Sequence, residues 1–119
     1  MRHLFKNGIV LTGAFVATVI AAGCASAPLK TEASTSGIRA AEEVGAAGVP
    51  QASLHLQLAK EELGRAKSLA ADDQKEKADS MLARAEVDAE LAVALSREDA
   101  EKTEARAAVD RVRQLRQDN

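Results

Sequence analysis

The sequence predicts an all-α fold: an antiparallel helical hairpin of two or three helices, the last one long, closed along a coiled-coil-like Ala/Leu seam. Three observations carry this. Between Ala52 and Ser96 small apolar residues recur at spacings alternating between four and three, the signature of one helix face. A single short break, Ala71-Asp72-Asp73-Gln74, divides that pattern, and a turn so short folds the second helix back antiparallel to the first. Past Ser96 neither glycine nor proline occurs, so nothing forces the last helix to stop.

Taken in order, the chain opens on a basic segment, Arg2, His3 and Lys6, followed by an apolar run over residues 8–22. That run is short and rich in Gly and Thr for a membrane span, and it reads as a secretory signal. It ends in Ala21-Ala22-Gly23-Cys24, which holds the only cysteine of the 119 residues. Small residues before Cys24 let the chain lie extended in a narrow protease groove, and a thiol can be alkylated into a stable thioether. A competing cut after Ala25-Ser26-Ala27 would leave Pro28 next, whose fixed φ and missing N–H suit an extended substrate poorly. A lone cysteine also cannot form an internal disulfide in an exported chain.

The stretch resembles the bacterial lipoprotein box, with Ile20 and Ala21 at the aliphatic positions, Ala22 and Gly23 as the small pair, and Cys24 as the lipidated residue. Ala21 departs from the commoner Leu. The resemblance implies a diacylglycerol thioether and an N-acyl chain on Cys24, and no other cofactor. Two or more acyl chains anchor a protein stably where one holds it only marginally. It also implies the periplasmic face of the outer membrane, since Ala25 and Ser26 follow Cys24 in place of an inner-membrane-retaining Asp. The expected organisation is a signal peptide over 1–23, a lipidated flexible tether over 24–35 and a helical hairpin domain over 36–119.

Residues 25–35 are rich in Ala, Ser and Thr, contain Pro28 and lack an apolar period, as a tether does. Ser36 then offers an N-cap for a short helix whose face holds Ile38, Ala41 and Gly45 beside Val44, with Gly45 and Gly48 ending it. Pro50 suits the first turn of the next helix. Its seam is Ala52, Leu56, Ala59, Leu63, Ala66 and Ala70, flanked by Leu54, Leu58 and Leu69, and Gly64 costs it about 1 kcal/mol relative to Ala. In the break, Asp73 and Glu76 have capping-box spacing. The returning seam is Ala78, Leu82, Ala85, Ala89, Ala92 and Ser96, and alanine on both sides lets the axes approach closely. Leu56, Leu63, Leu82 and Ala89 represent this seam as the expected interaction surface.

Residues 97–104 are heavily charged, and apolar positions resume on a shifted phase at Ala105, Ala108, Val112 and Leu115. Either one helix runs from Asp73 to about Gln117, or Ser96 with Asp99 caps a third segment; the absence of a breaker favours the first. Arg106, Arg111, Arg113 and Arg116 complement the negative end of that helix.

Composition excludes several functions. The net charge is −2, and cleavage before Cys24 removes Arg2 and Lys6, leaving 14 basic residues against 18 acidic ones. That is no basic footprint for nucleic acid. Phe5 and Phe15 depart with the signal, so the remainder has no aromatic ring to stack on a base or a sugar. His55 is then the only histidine, too few for a metal site or a nucleophile pair, and an ordinary polar contact is expected of it. Asp72-Asp73 and Glu42-Glu43 are adjacent, so on a helix each pair points to different faces. No phosphate-binding glycine loop occurs. An enzyme is not expected, nor a small-molecule substrate.

The pattern Pro50-x-x-x-Leu54, Leu58-Ala59-x-x-x-Leu63-x-x-Ala66-x-x-Leu69-Ala70, a charged turn, and Ala78-x-x-Met81-Leu82-x-x-Ala85-x-x-Asp88-Ala89-x-Leu91-Ala92 resembles a family of unknown function. Its members are alanine-rich helical hairpins of small Gram-negative lipoproteins, sometimes ahead of an OmpA-like domain. The resemblance spans about residues 38–115 and includes no OmpA-like part, so peptidoglycan binding does not come with it. The expected function is a non-enzymatic outer-membrane lipoprotein acting as a structural or adaptor element in the periplasm. Its partners would be the membrane, through the anchor, and itself or another envelope protein. The alternative is a periplasmic ligand- or peptidoglycan-binding module using the basic helix end.

Overall fold

The computed structural model describes residues 28–118; the expected signal peptide, the lipobox-like stretch and the expected lipidation at Cys24 fall outside the described residues. Three α-helices follow in order: α1 over Glu32–Glu43, α2 over Pro50–Ala71 and α3 over Lys75–Gln117, with a single 3-10 turn at Ala46–Gly48 between α1 and α2. No strand occurs among the described residues. The fold is all-α, and the last helix is continuous through Ser96, 43 residues in one piece. At 1.5 Å per residue it is about 64 Å long.

The first helix starts four residues before the expected Ser36 cap, so residues 32–35 of the expected tether are helical. Ser36 is exposed on the helix instead of capping it. The reason is tertiary: Ser34 is 2% exposed and its hydroxyl donates to the Leu82 carbonyl oxygen at 3.1 Å, which fastens the first turn of α1 to α3. Gly37, about one turn further along α1, lies against Ala89, two turns further along α3, so α1 runs parallel to α3. Gly45, at φ 78°, ends α1 in the left-handed region, and its N–H bonds the Glu42 carbonyl at 3.0 Å.

The turn between α2 and α3 also departs from expectation. Asp73 is no N-cap: it takes φ 59°, and its N–H bonds the Ala70 carbonyl at 3.2 Å while the Gln74 N–H reaches the Leu69 carbonyl at 2.8 Å. Those two bonds form a Schellman closure of α2, in which Asp73 occupies the position usually held by glycine. Asp tolerates that conformation better than most residues. Gln74 becomes the N-cap residue of α3, with its side-chain oxygen taken by Lys77 Nζ at 2.8 Å.

Both seams meet inside this hairpin. Alanines 41, 46, 52, 59, 66, 78, 85, 89 and 92 are fully buried, with Ile38, Leu56 and Leu82 filling the wider gaps. All six expected α3 seam positions are buried; on α2 Ala52, Leu56, Ala59 and Ala66 are buried and Leu63 and Ala70 are partly covered. The 3-10 turn caps one end of this core, with Ala46 buried in it and Val49 packed against it.

Candidate functional site

The antiparallel return of α3 decides what the seam is for. Each helix presents its small residues to the other, and α1 closes a third side. Leu56 is 4% exposed, Leu82 7% and Ala89 0%, while Leu63 packs partly buried against the same cluster. In the folded chain Leu56, Leu82 and Ala89 belong to its own core and Leu63 borders it, so the seam is filled from within by α1, α2 and α3.

Two outward features remain. The first is a polar cluster across α2 and α3 on the edge of the Leu stripe. His55 Nδ1 and Asp88 Oδ1 are 2.7 Å apart, both side chains being largely covered. Glu62 lies one heptad after His55, on the same side of α2, and also faces Asp88. Burial raises the Glu62 carboxyl above its ordinary value, Asp88 adds to this as hydrogen-bond partner and as like charge, and Arg84 and Arg65 pull it back. Glu62 Oε2 is shielded from solvent and has no donor facing it. Sequence reasoning expected a polar contact at His55 but named neither Asp88 nor Glu62 as its neighbours. The signal that could have found them is the hairpin register, once the turn is placed near residue 73.

A shallow groove beside this cluster is lined by Gln51, Leu54, His55, Leu91 and Leu95. An imidazole held by a carboxylate is half of a nucleophile-activating arrangement, but this lining offers no hydroxyl or thiol to activate. Among the described residues no group of His, Cys, Asp and Glu side chains is placed to hold a metal ion. The cluster's chemistry is that of a cross-helix tie between α2 and α3.

The second feature is the continuation of α3. Every residue from 97 to 118 is exposed, so this helix extends beyond the three-helix body for about 30 Å. Val109, Val112 and Leu115 are 50%, 48% and 59% exposed, large values for aliphatic side chains sharing one short segment. Arg113 pairs with Asp110 at 3.1 Å, and Lys102 with Glu98 at 2.6 Å. Both are exposed pairs within one helix, worth a few tenths of a kcal/mol each. At the other end, the segment entering α1 lies against α3, where Pro28 and Lys30 share a cleft with Lys75, Asp79, Leu82 and Glu86. No described helix is long and apolar enough to cross a membrane.

No curated protein and no solved structure gives a significant match to the chain. A family does match, over residues 30–108, which takes in all of α1 and α2 and α3 to beyond the end of the packed body. The chain belongs to the family described as a domain of unknown function, DUF4398.

Proposed function

We propose that this protein is a lipoprotein of the bacterial outer membrane, anchored by acyl chains on Cys24, whose helical body acts as a non-enzymatic structural or adaptor element in the periplasm. The anchor rests on the sequence Ala21-Ala22-Gly23-Cys24 after a basic and then apolar leader. The adaptor role rests on one observation, that α3 continues well past the core and carries exposed aliphatic and charged side chains into solvent. A helix face that no part of the described body covers is a surface available to another molecule.

The test is fractionation of cells producing the full chain, with radiolabelled palmitate. Incorporation of label into the wild type, its loss in Cys24→Ser, and release of that variant from the membrane fraction are expected. Unlabelled protein, or unchanged membrane residence of Cys24→Ser, would sink the anchor.

A further inference from the structure

The exposed end of α3 has a pattern that selects its partner. Ala105, Ala108, Val112 and Leu115 follow one another at spacings of three, four and three, so they share one face. Continued backwards by four and three, the same stripe passes through Glu101 and Glu98. The stripe is therefore acidic in its first half and apolar in its second. The surrounding charge divides at the same point. Residues 97–104 carry four acidic against two basic side chains, whereas residues 105–118 carry four arginines against two aspartates.

We infer that this segment pairs with the same segment of a second copy of the chain, antiparallel, about a centre between Ala105 and Ala108. In that register each acidic half lies over the basic half of the other copy. Glu104 stands opposite Arg111 of the second copy, and by symmetry Arg111 opposite its Glu104. Glu98 comes opposite Leu115 and Glu101 opposite Val112, each methylene stem covering the aliphatic side chain with its carboxylate left at the solvent-facing rim, that of Glu98 beside Arg116. The two central layers are Ala105 against Ala108, which lets the axes approach at about 8 Å. A parallel pair would instead stack Glu98 on Glu98 and Glu101 on Glu101 and set Arg111 near Arg116, like charges throughout. A free helix of about 20 residues gains little from propensity alone, so burial of this stripe adds what the body does not supply. The inference deepens the adaptor reading by naming its partner, and it does not depend on the anchor.

Sedimentation equilibrium of the purified full-length chain in detergent tests it, with a charge-swap cycle. The wild type is expected to dimerise, less tightly as salt rises. Glu104→Arg and Arg111→Glu each turn two attractive pairs into repulsive ones, and each should weaken the dimer by about tenfold. The double variant Glu104→Arg/Arg111→Glu restores opposite charges across the pair and should return to near the wild-type affinity. Within one chain these residues are two turns apart, so that rescue cannot be intrahelical. A monomeric wild type, single swaps without effect, or a double variant weaker than either single one would overturn the inference. So would a monomer that floats with phosphatidylglycerol vesicles and loses that binding in Arg111→Glu, since the basic stripe would then serve a lipid surface. None of these outcomes involves Cys24, so the pairing and the anchor fail separately.

Discussion

A β-carbon placed on Gly37 would stand 3.0 Å from the Ala89 Cβ, so α1 and α3 touch backbone to methyl at this point. Ala89 is fully buried and its methyl is fixed to the helix, so it cannot swing aside. Gly37→Ala must push the two helices apart. Overpacking of about 1–3 kcal/mol outweighs the roughly 1 kcal/mol that alanine adds to helix propensity, and the protein should lose about 1 kcal/mol. Gly64, in the middle of α2, has open space where its β-carbon would go. Gly64→Ala should gain up to about 1 kcal/mol. Urea unfolding of both variants checks the opposite signs.

Two buried serines should also respond oppositely. Ser34 gives its hydroxyl to the Leu82 carbonyl, whereas Ser96 Oγ is buried with no partner. Ser34→Ala should cost about 1 kcal/mol through the lost bond. Ser96→Ala removes a desolvated hydroxyl that bonds nothing and should stabilise by about 1 kcal/mol. Thermal unfolding followed at the helical circular-dichroism band distinguishes them.

The left-handed Asp73 makes the α2–α3 turn sensitive to side-chain shape. Asp73→Gly should be neutral or stabilising by a few tenths of a kcal/mol, because glycine enters this region without strain. Asp73→Val should cost about 1–2 kcal/mol, since a branched β-carbon meets the following carbonyl. Denaturant midpoints of the two variants measure the difference.

Glu62 gives stability a defined pH dependence. Its folded-state pKa lies above the ordinary 4.5, so between those values the folded chain holds more protons than the unfolded one. The Glu62 contribution is therefore full below pH 4.5 and is lost as pH rises through the raised folded value. Glu62→Gln should remove this loss. Asp88→Asn should shrink it without abolishing it, because burial is the largest cause and Asp88 the next. Chemical denaturation of the three proteins across pH 4–8 reads it; an unchanged slope in Glu62→Gln would contradict the assignment.

Period-driven features were legible in the sequence and contact-driven ones were not. The α3 seam from Ala78 to Ser96 is buried at every position because a four-three spacing fixes one face whatever lies opposite. The start of α1 was hidden because residues 32–35 have no apolar period; their helix is held by a hydrogen bond to Leu82, 48 residues away. Asp73 was misread because Asp favours both caps and left-handed turns, and only the backbone path decides between them. The seam was legible as a surface but not as an occupied one. That required knowing that α1 and the hairpin fill it from within.

The parallel course of α1 and α3 has a mechanical meaning. The chain comes in from the side of the turn at Asp73, passes Leu82 and runs the same way as α3, whose far end lies about 50 Å further on. Tension between the entry and the far tip therefore slides α1 lengthwise along α3. It loads every contact between them at once, with the Ser34 bond and the Gly37 notch over Ala89 as the detents, whereas a peeling force would open those contacts one by one.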